Sequence, residues 1–172
     1  CVLAADGTVT TLAGGERGFA DGPAAAARFR YPAGFAFDTQ GRLLVADMAT
    51  IGVRRVTSEG ETTTIGGADG PGLSRFPRDI MTARDGRIIV TLSNRVCVLA
   101  ADGTVTTLAG GGDDDDQEDD EGEVFVDGRG EAARFNYPYG IAEGPDGRIY
   151  VADKNNHAIR CVRRDGTVTS LA

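Results

Sequence analysis

Several absences bound what this chain of 172 residues can be. It holds one histidine, His157, so a zinc centre built from several imidazoles cannot be assembled within it. Three cysteines, an odd number placed in strand-like runs, do not read as a disulfide framework. No run of about 18 apolar residues exists to span a membrane, and no charged-then-apolar leader opens the chain. No Asn-x-Ser/Thr acceptor occurs, and compartment stays open, with a lean toward a reducing, intracellular one. Basic residues are not clustered, which excludes a phosphate-tracking surface and with it nucleic acid as a partner. The formal charge of −8 is local: nine acidic residues lie between Asp113 and Glu123, and the remainder sums to about +1 (−8 + 9).

What the chain does have is repetition, which must be settled before any fold is assigned. Residues 1–14, CVLAADGTVTTLAG, recur letter for letter at 97–110. Residues 27–66 align without a gap on 133–172: Ala27-Arg28-Phe29 on Ala133-Arg134-Phe135, Val45-Ala46-Asp47 on Val151-Ala152-Asp153, and Val53-Arg54 on Ile159-Arg160. A shorter, diverged unit lies between them, opening at Arg75-Phe76-Pro77 and turning at Asp85-Gly86-Arg87. The unit at 135–172 is a series of short β-rich runs split by Pro-Asp-Gly and Asp-Gly turns, the pattern of an antiparallel meander, and the other units repeat its runs. The expected organisation is a lone final hairpin at 1–14 and blades at 15–67, 68–111 and 112–172, the last carrying the acidic loop 113–123. Units alternate in type, so the copied module reads as two units long.

The run from Ala133-Arg134-Phe135 through Asp146-Gly147-Arg148-Ile149-Tyr150-Val151-Ala152-Asp153, Asn156-His157-Ala158-Ile159-Arg160 and Asp165-Gly166-Thr167-Val168-Thr169 resembles the NHL repeat. The first unit keeps Asp47 and Arg54 but has Thr50-Ile51 for Asn-His; the middle one has Thr91-Leu92 for Ala-Asp and Cys97 for Arg. The resemblance implies an all-β fold, a partial β-propeller of NHL type with three four-stranded blades and one terminal hairpin. A blade cannot cover both of its faces, so neighbours must stack around an axis, and four to eight are needed to close a ring. Further blades are therefore expected, from the same longer chain or from a second copy.

Candidate chemistry is sparse. Gly14-Gly15 and Gly110-Gly111-Gly112 follow strands, but no Lys-Ser/Thr follows them, so they read as inter-blade turns rather than phosphate loops. Asp47 and Asp153 can accept backbone N–H groups of the following turn or pair with Arg54 and Arg160. Their repetition argues for architecture, since an active site is needed once. Asn156 and His157 read as turn-formers, and Cys97 and Cys161 as small buried hydrophobes.

The expected function is a non-enzymatic protein-interaction scaffold with no catalytic residue, metal or cofactor. Its partner is a basic protein segment, met on the face that carries the acidic stretch and the turns at 48–52, 92–95 and 154–158. The contact residues expected are Asp113, Asp114, Asp115, Asp116, Glu118 and Asp119, with Lys154, Asn155, Asn156 and His157. Two other readings follow from the resemblance: a propeller hydrolase or lyase whose metal ligands lie outside these residues, and an extracellular sensor or carbohydrate-binding propeller.

Overall fold

The computed structural model describes residues 1–48, 52–67, 76–111 and 125–171. A short hairpin, β1 (Val2–Leu3) and β2 (Val9–Thr10), comes first. The first full blade is β3 (Pro32–Phe37), β4 (Leu43–Asp47), β5 (Gly52–Val56) and β6 (Thr62–Gly67). The second is β7 (Pro77–Thr82), β8 (Ile88–Leu92), β9 (Arg95–Leu99) and β10 (Val105–Ala109). The third is β12 (Pro138–Glu143), β13 (Ile149–Asp153), β14 (Ala158–Val162) and β15 (Thr167–Leu171), with the two-residue β11 (Gly128–Arg129) added at its outer edge. All strand pairs are antiparallel between chain neighbours, apart from β11, which pairs β15. This is the partial β-propeller that the repeats imply.

Aspartate and glycine set the turns. Asp38, Asp85 and Asp146 each accept the backbone N–H of the arginine that restarts the chain, Arg42, Arg87 and Arg148, at 2.9, 3.1 and 3.1 Å. Asp6, Asp102 and Asp165 do the same for Thr8, Thr104 and Thr167 at 2.9, 2.9 and 3.0 Å. The glycine in each of these turns holds a left-handed φ, such as +77° at Gly41 and +81° at Gly166, which a side chain would strain.

The cores lie between blades rather than within them. Leu44, Ala46 and Val53 of the first blade meet Ile80, Val90, Leu92, Cys97 and Leu99 of the second. The opposite face of the second blade, with Ile89, Val96 and Ala109, meets Phe135, Ile149, Val151, Val162 and Val168 of the third. Alternation along β8 and β9 therefore sends Val90 and Cys97 one way and Ile89 and Val96 the other, and both faces are apolar. Each fully buried Val, Leu or Ile contributes about 1.5–3 kcal/mol, so a blade without neighbours forfeits most of its stabilisation.

The innermost strands β3, β7 and β12 run side by side. A Cβ on Gly34 of β3 would fall 2.3 Å from Asp79 Oδ1 of β7, so only glycine permits this approach. Asp79 Oδ2 accepts the Ile141 N–H of β12 at 2.9 Å, and the Thr91 hydroxyl donates to the Tyr139 carbonyl at 2.9 Å. Asp79 follows Phe76 as Gly34 follows Tyr31, so the three strands start at one end. One face thus collects Tyr31, Phe76, Tyr137 and the β13–β14 turn, and the opposite face collects the Asp-Gly turns.

Candidate functional site

The recurring charges of the repeat form a staple inside each outer blade. Arg160 is fully buried. Its Nη1 donates to Asp153 Oδ2 and to the Arg134 carbonyl at 2.8 Å each, and its Nη2 to Asp127 Oδ1 and the Val126 carbonyl at 2.9 Å each. The guanidinium lies between the rings of Phe125 and Phe135, 4.4 and 5.1 Å from their centroids. Arg54 repeats the arrangement with Asp21, the Ala20 and Arg28 carbonyls, Phe19 and Phe29. Asp127 and Asp21 in turn accept from Ser170 and Thr64 of the outermost strands. The arginine therefore pins the segment that enters a blade onto that blade's own strands.

One detail differs from the expectation for these aspartates. Asp47 accepts the N–H groups of Arg30 and Tyr31, ahead of the inner strand, at 3.0 and 2.6 Å, and Asp153 accepts that of Asn136 at 2.7 Å. The backbone they hold is that of the preceding segment, because β4 and β13 lie beside the strand it leads into. The Arg pairing is also unequal: 2.8 Å for Arg160–Asp153 but 3.8 Å for Arg54–Asp47.

Of the expected contact residues, Asp113, Asp114, Asp115, Asp116, Glu118 and Asp119 lie outside the described residues. Lys154, Asn155 and Asn156 form one 3₁₀ turn, closed by His157 in a left-handed conformation at φ +52°. Lys154 and His157 face solvent, and Lys154 Nζ sits 4.8 Å from the Tyr137 ring centroid. Asn155 is half-buried and donates its backbone N–H to the Asn136 carbonyl at 3.1 Å. Asn156 departs from its expected role as a contact. It is 7 % exposed, and its amide reaches back across the 3₁₀ turn to donate to Asp153 Oδ2 at 2.9 Å. It belongs to the staple.

The family profile of the NHL repeat matches the same stretch, residues 135–162. Residues 135–162 are an NHL repeat. No curated protein matches the chain. Among solved structures, the chain is similar to a catalytically inactive virginiamycin B lyase from Staphylococcus aureus with quinupristin, at 16% identity and a TM-score of 0.57, covering 81% of this chain and 40% of that one. It is similar to an auxiliary nutrient binding protein from Bacteroides thetaiotaomicron, at 18% identity and a TM-score of 0.65, covering 85% and 37%. It is also similar to a chain of a nidogen/laminin complex, at 25% identity and a TM-score of 0.57, covering 82% and 48%. The chain thus spans less than half the length of each of these. Such likeness shows the propeller fold, which hosts unrelated functions.

The NHL blade also shows what the staple does to its charges. Burial pushes the Asp153 carboxyl above its ordinary value, although the Asn156 amide, the Asn136 N–H and Arg160 all favour its charged form. Asp127 and Asp21 sit nearer the surface. Burial works to raise them too, but the N–H and hydroxyl groups of Ser170 and Thr64, with the arginines, outweigh it and hold both below the usual carboxylate range.

Two features escape sequence reasoning. Arg78 of β7 is buried in the diverged blade, donates to the Ser93 carbonyl and stacks 3.5 Å from the Tyr137 ring centroid. It brings a cation to a blade whose usual Asp and Arg columns hold Leu92 and Cys97, but from a different strand. Tyr31, Phe76 and Tyr137 form a row at the mouths of the inner strands, with Tyr31 and Phe76 exposed. The signal for it was present: an aromatic residue directly before Pro32, Pro77 and Pro138.

Proposed function

We propose that this chain serves as a non-enzymatic protein-interaction scaffold, binding a basic protein segment on the face where the inner strands start. The observation that carries the reading is the placement of Tyr31, Phe76 and Tyr137 on that face, with Lys154 and His157 beside them. Partly exposed aromatic rings with polar neighbours are the composition of protein interface cores. The nine acidic residues of 113–123 connect the second blade to the third and supply the charge that steers a basic partner. The repeat aspartates support the non-enzymatic part, since Asp47 and Asp153 are buried and committed to backbone N–H groups and arginine.

Titration with a lysine-rich peptide at increasing salt tests this. The intact chain binds it with an affinity that falls steeply with salt, and deletion of 113–121 flattens that slope. The double substitution Y31S/H157S weakens binding without changing the slope. Equal binding and equal slope in the intact and deleted chains overturns the reading.

A further inference from the structure

The outermost strands of the three blades are not finished alike. In the first blade Gly22 and Thr62 exchange both backbone hydrogen bonds at 2.9 Å, and Asp21 accepts the N–H and the hydroxyl of Thr64 at 2.9 and 3.0 Å. In the third, β11 pairs Gly128 with Val168, and Asp127 accepts the N–H and the hydroxyl of Ser170 at 3.1 and 2.9 Å. Each cover is an Asp-Gly pair laid antiparallel on the rim.

In the second blade the counterparts of the covered residues are Val105 and Thr107. Val105 lies opposite Leu99 as Thr62 lies opposite Val56 and Val168 opposite Val162. β10 ends its sheet, and among the described residues nothing pairs with its outer side. The Val105 N–H and carbonyl and the Thr107 N–H therefore point outward along one edge, with the Thr107 hydroxyl beside them. Burial follows the cover: Thr62 and Val168 are 0 % and 1 % exposed, whereas Val105 is only half-buried.

This edge is interior to the chain, with a blade on either side, and chain length sets it apart. Sixteen residues lie between Gly14 and Tyr31 and twenty-six between Gly110 and Tyr137, and both runs pass over a rim before returning to an inner strand. Only eight lie between Gly67 and Phe76, half the shorter of those two runs. The length that makes the detour in the flanking blades is absent here.

We propose that the outer edge of β10 is a docking site for an extended partner segment carrying an aspartate. The segment adds antiparallel to β10, and one of its residues exchanges backbone hydrogen bonds with Val105. The aspartate just before that residue takes the Thr107 N–H and hydroxyl together. Backbone pairing supplies affinity, and the bidentate carboxylate sets the register. Cys97 stands where Arg54 and Arg160 reach the covering aspartates, so the Thr107 donors carry the recognition. The site lies on the rim, apart from the face discussed above, and does not depend on that reading.

The probe is a capped peptide, Val-Phe-Val-Asp-Gly-Arg-Gly, the sequence of residues 124–130. Amide hydrogen exchange by NMR reads the edge residue by residue. We expect saturable binding that slows exchange at Val105 and Thr107 at least about tenfold. Alanine for aspartate in the peptide, or T107V in the protein, should weaken binding about tenfold or more. No slowing at Val105 and Thr107 with millimolar peptide overturns the proposal, and so does equal affinity for the aspartate and alanine peptides. A free protein whose Val105 and Thr107 amides are already as protected as those of Thr62 and Thr64, and lose that protection in D69N, overturns it as well, since the chain would then cover its own edge.

Discussion

Replacing Arg160 with methionine isolates the staple. The change keeps most of the side-chain volume between Phe125 and Phe135 but removes all four hydrogen bonds, to Asp153, Asp127 and the Arg134 and Val126 carbonyls. Asp153, itself fully buried, is left without its countercharge. Breaking a buried pair by removing one partner costs about 3–5 kcal/mol, against a total stability of about 5–15 kcal/mol for a domain. Urea unfolding followed by circular dichroism should therefore show R160M with its midpoint strongly lowered at pH 7. R160K, which keeps a charge but cannot reach both carboxylates at once, should fall between R160M and the parent. Adding D153N to R160M should cost little more, because the two side chains act as one unit. The pH dependence has a definite sign. Burial already pushes Asp153 up, and losing Arg160 pushes it further, so the deficit of R160M is full above the carboxyl's folded value and shrinks as pH falls toward 3.8. A loss below about 1 kcal/mol at pH 7, or a deficit that grows on acidification, refutes the staple.

Asp127 is held below 3.8 in the folded protein, so its contribution is present above that value and is lost as pH falls through the lowered one. D127N should be less stable than the parent at pH 7, with the gap narrowing as pH falls below 3.8, as judged by urea midpoints; a gap that widens on acidification contradicts this. Gly166 and Gly41 share a left-handed φ, but a Cβ on Gly166 would strike the Leu108 carbonyl while one on Gly41 meets nothing within 4 Å. G41A should thus cost only the backbone strain, about 1–2 kcal/mol, and G166A distinctly more, with equal midpoints as the refuting result.

The turns were the most legible part of the fold. Asp-to-Gly spacing located most of the hairpins on the Asp-Gly face, because an aspartate that caps its own turn and a glycine that supplies positive φ are local effects; the β5–β6 turn, capped by Thr57, carries no aspartate. The copied segments located the blades. The staple was half legible: the Asp and Arg columns could be matched, but which backbone they hold depends on which strand lies alongside. Asn156 was misplaced because its amide closes back on Asp153 across a 3₁₀ turn, and nothing in the amino-acid types dictates that turn. Arg78 carries no periodic signal at all. Residues 1–14 and 97–110 set the limit of sequence reading, since identical residues are exposed in one place and buried in the other.

That pair also offers the most direct measurement of the central claim, that blades are stabilised by inner strands and neighbours rather than by their own sequence. Amide hydrogen exchange by NMR resolves the two copies, whose intrinsic exchange rates are the same. The account predicts that Leu3 exchanges about a hundredfold or more faster than Leu99, whose N–H faces Ile88 of β8. Equal protection in the two copies would contradict it, for the first hairpin would then already have its inner strands.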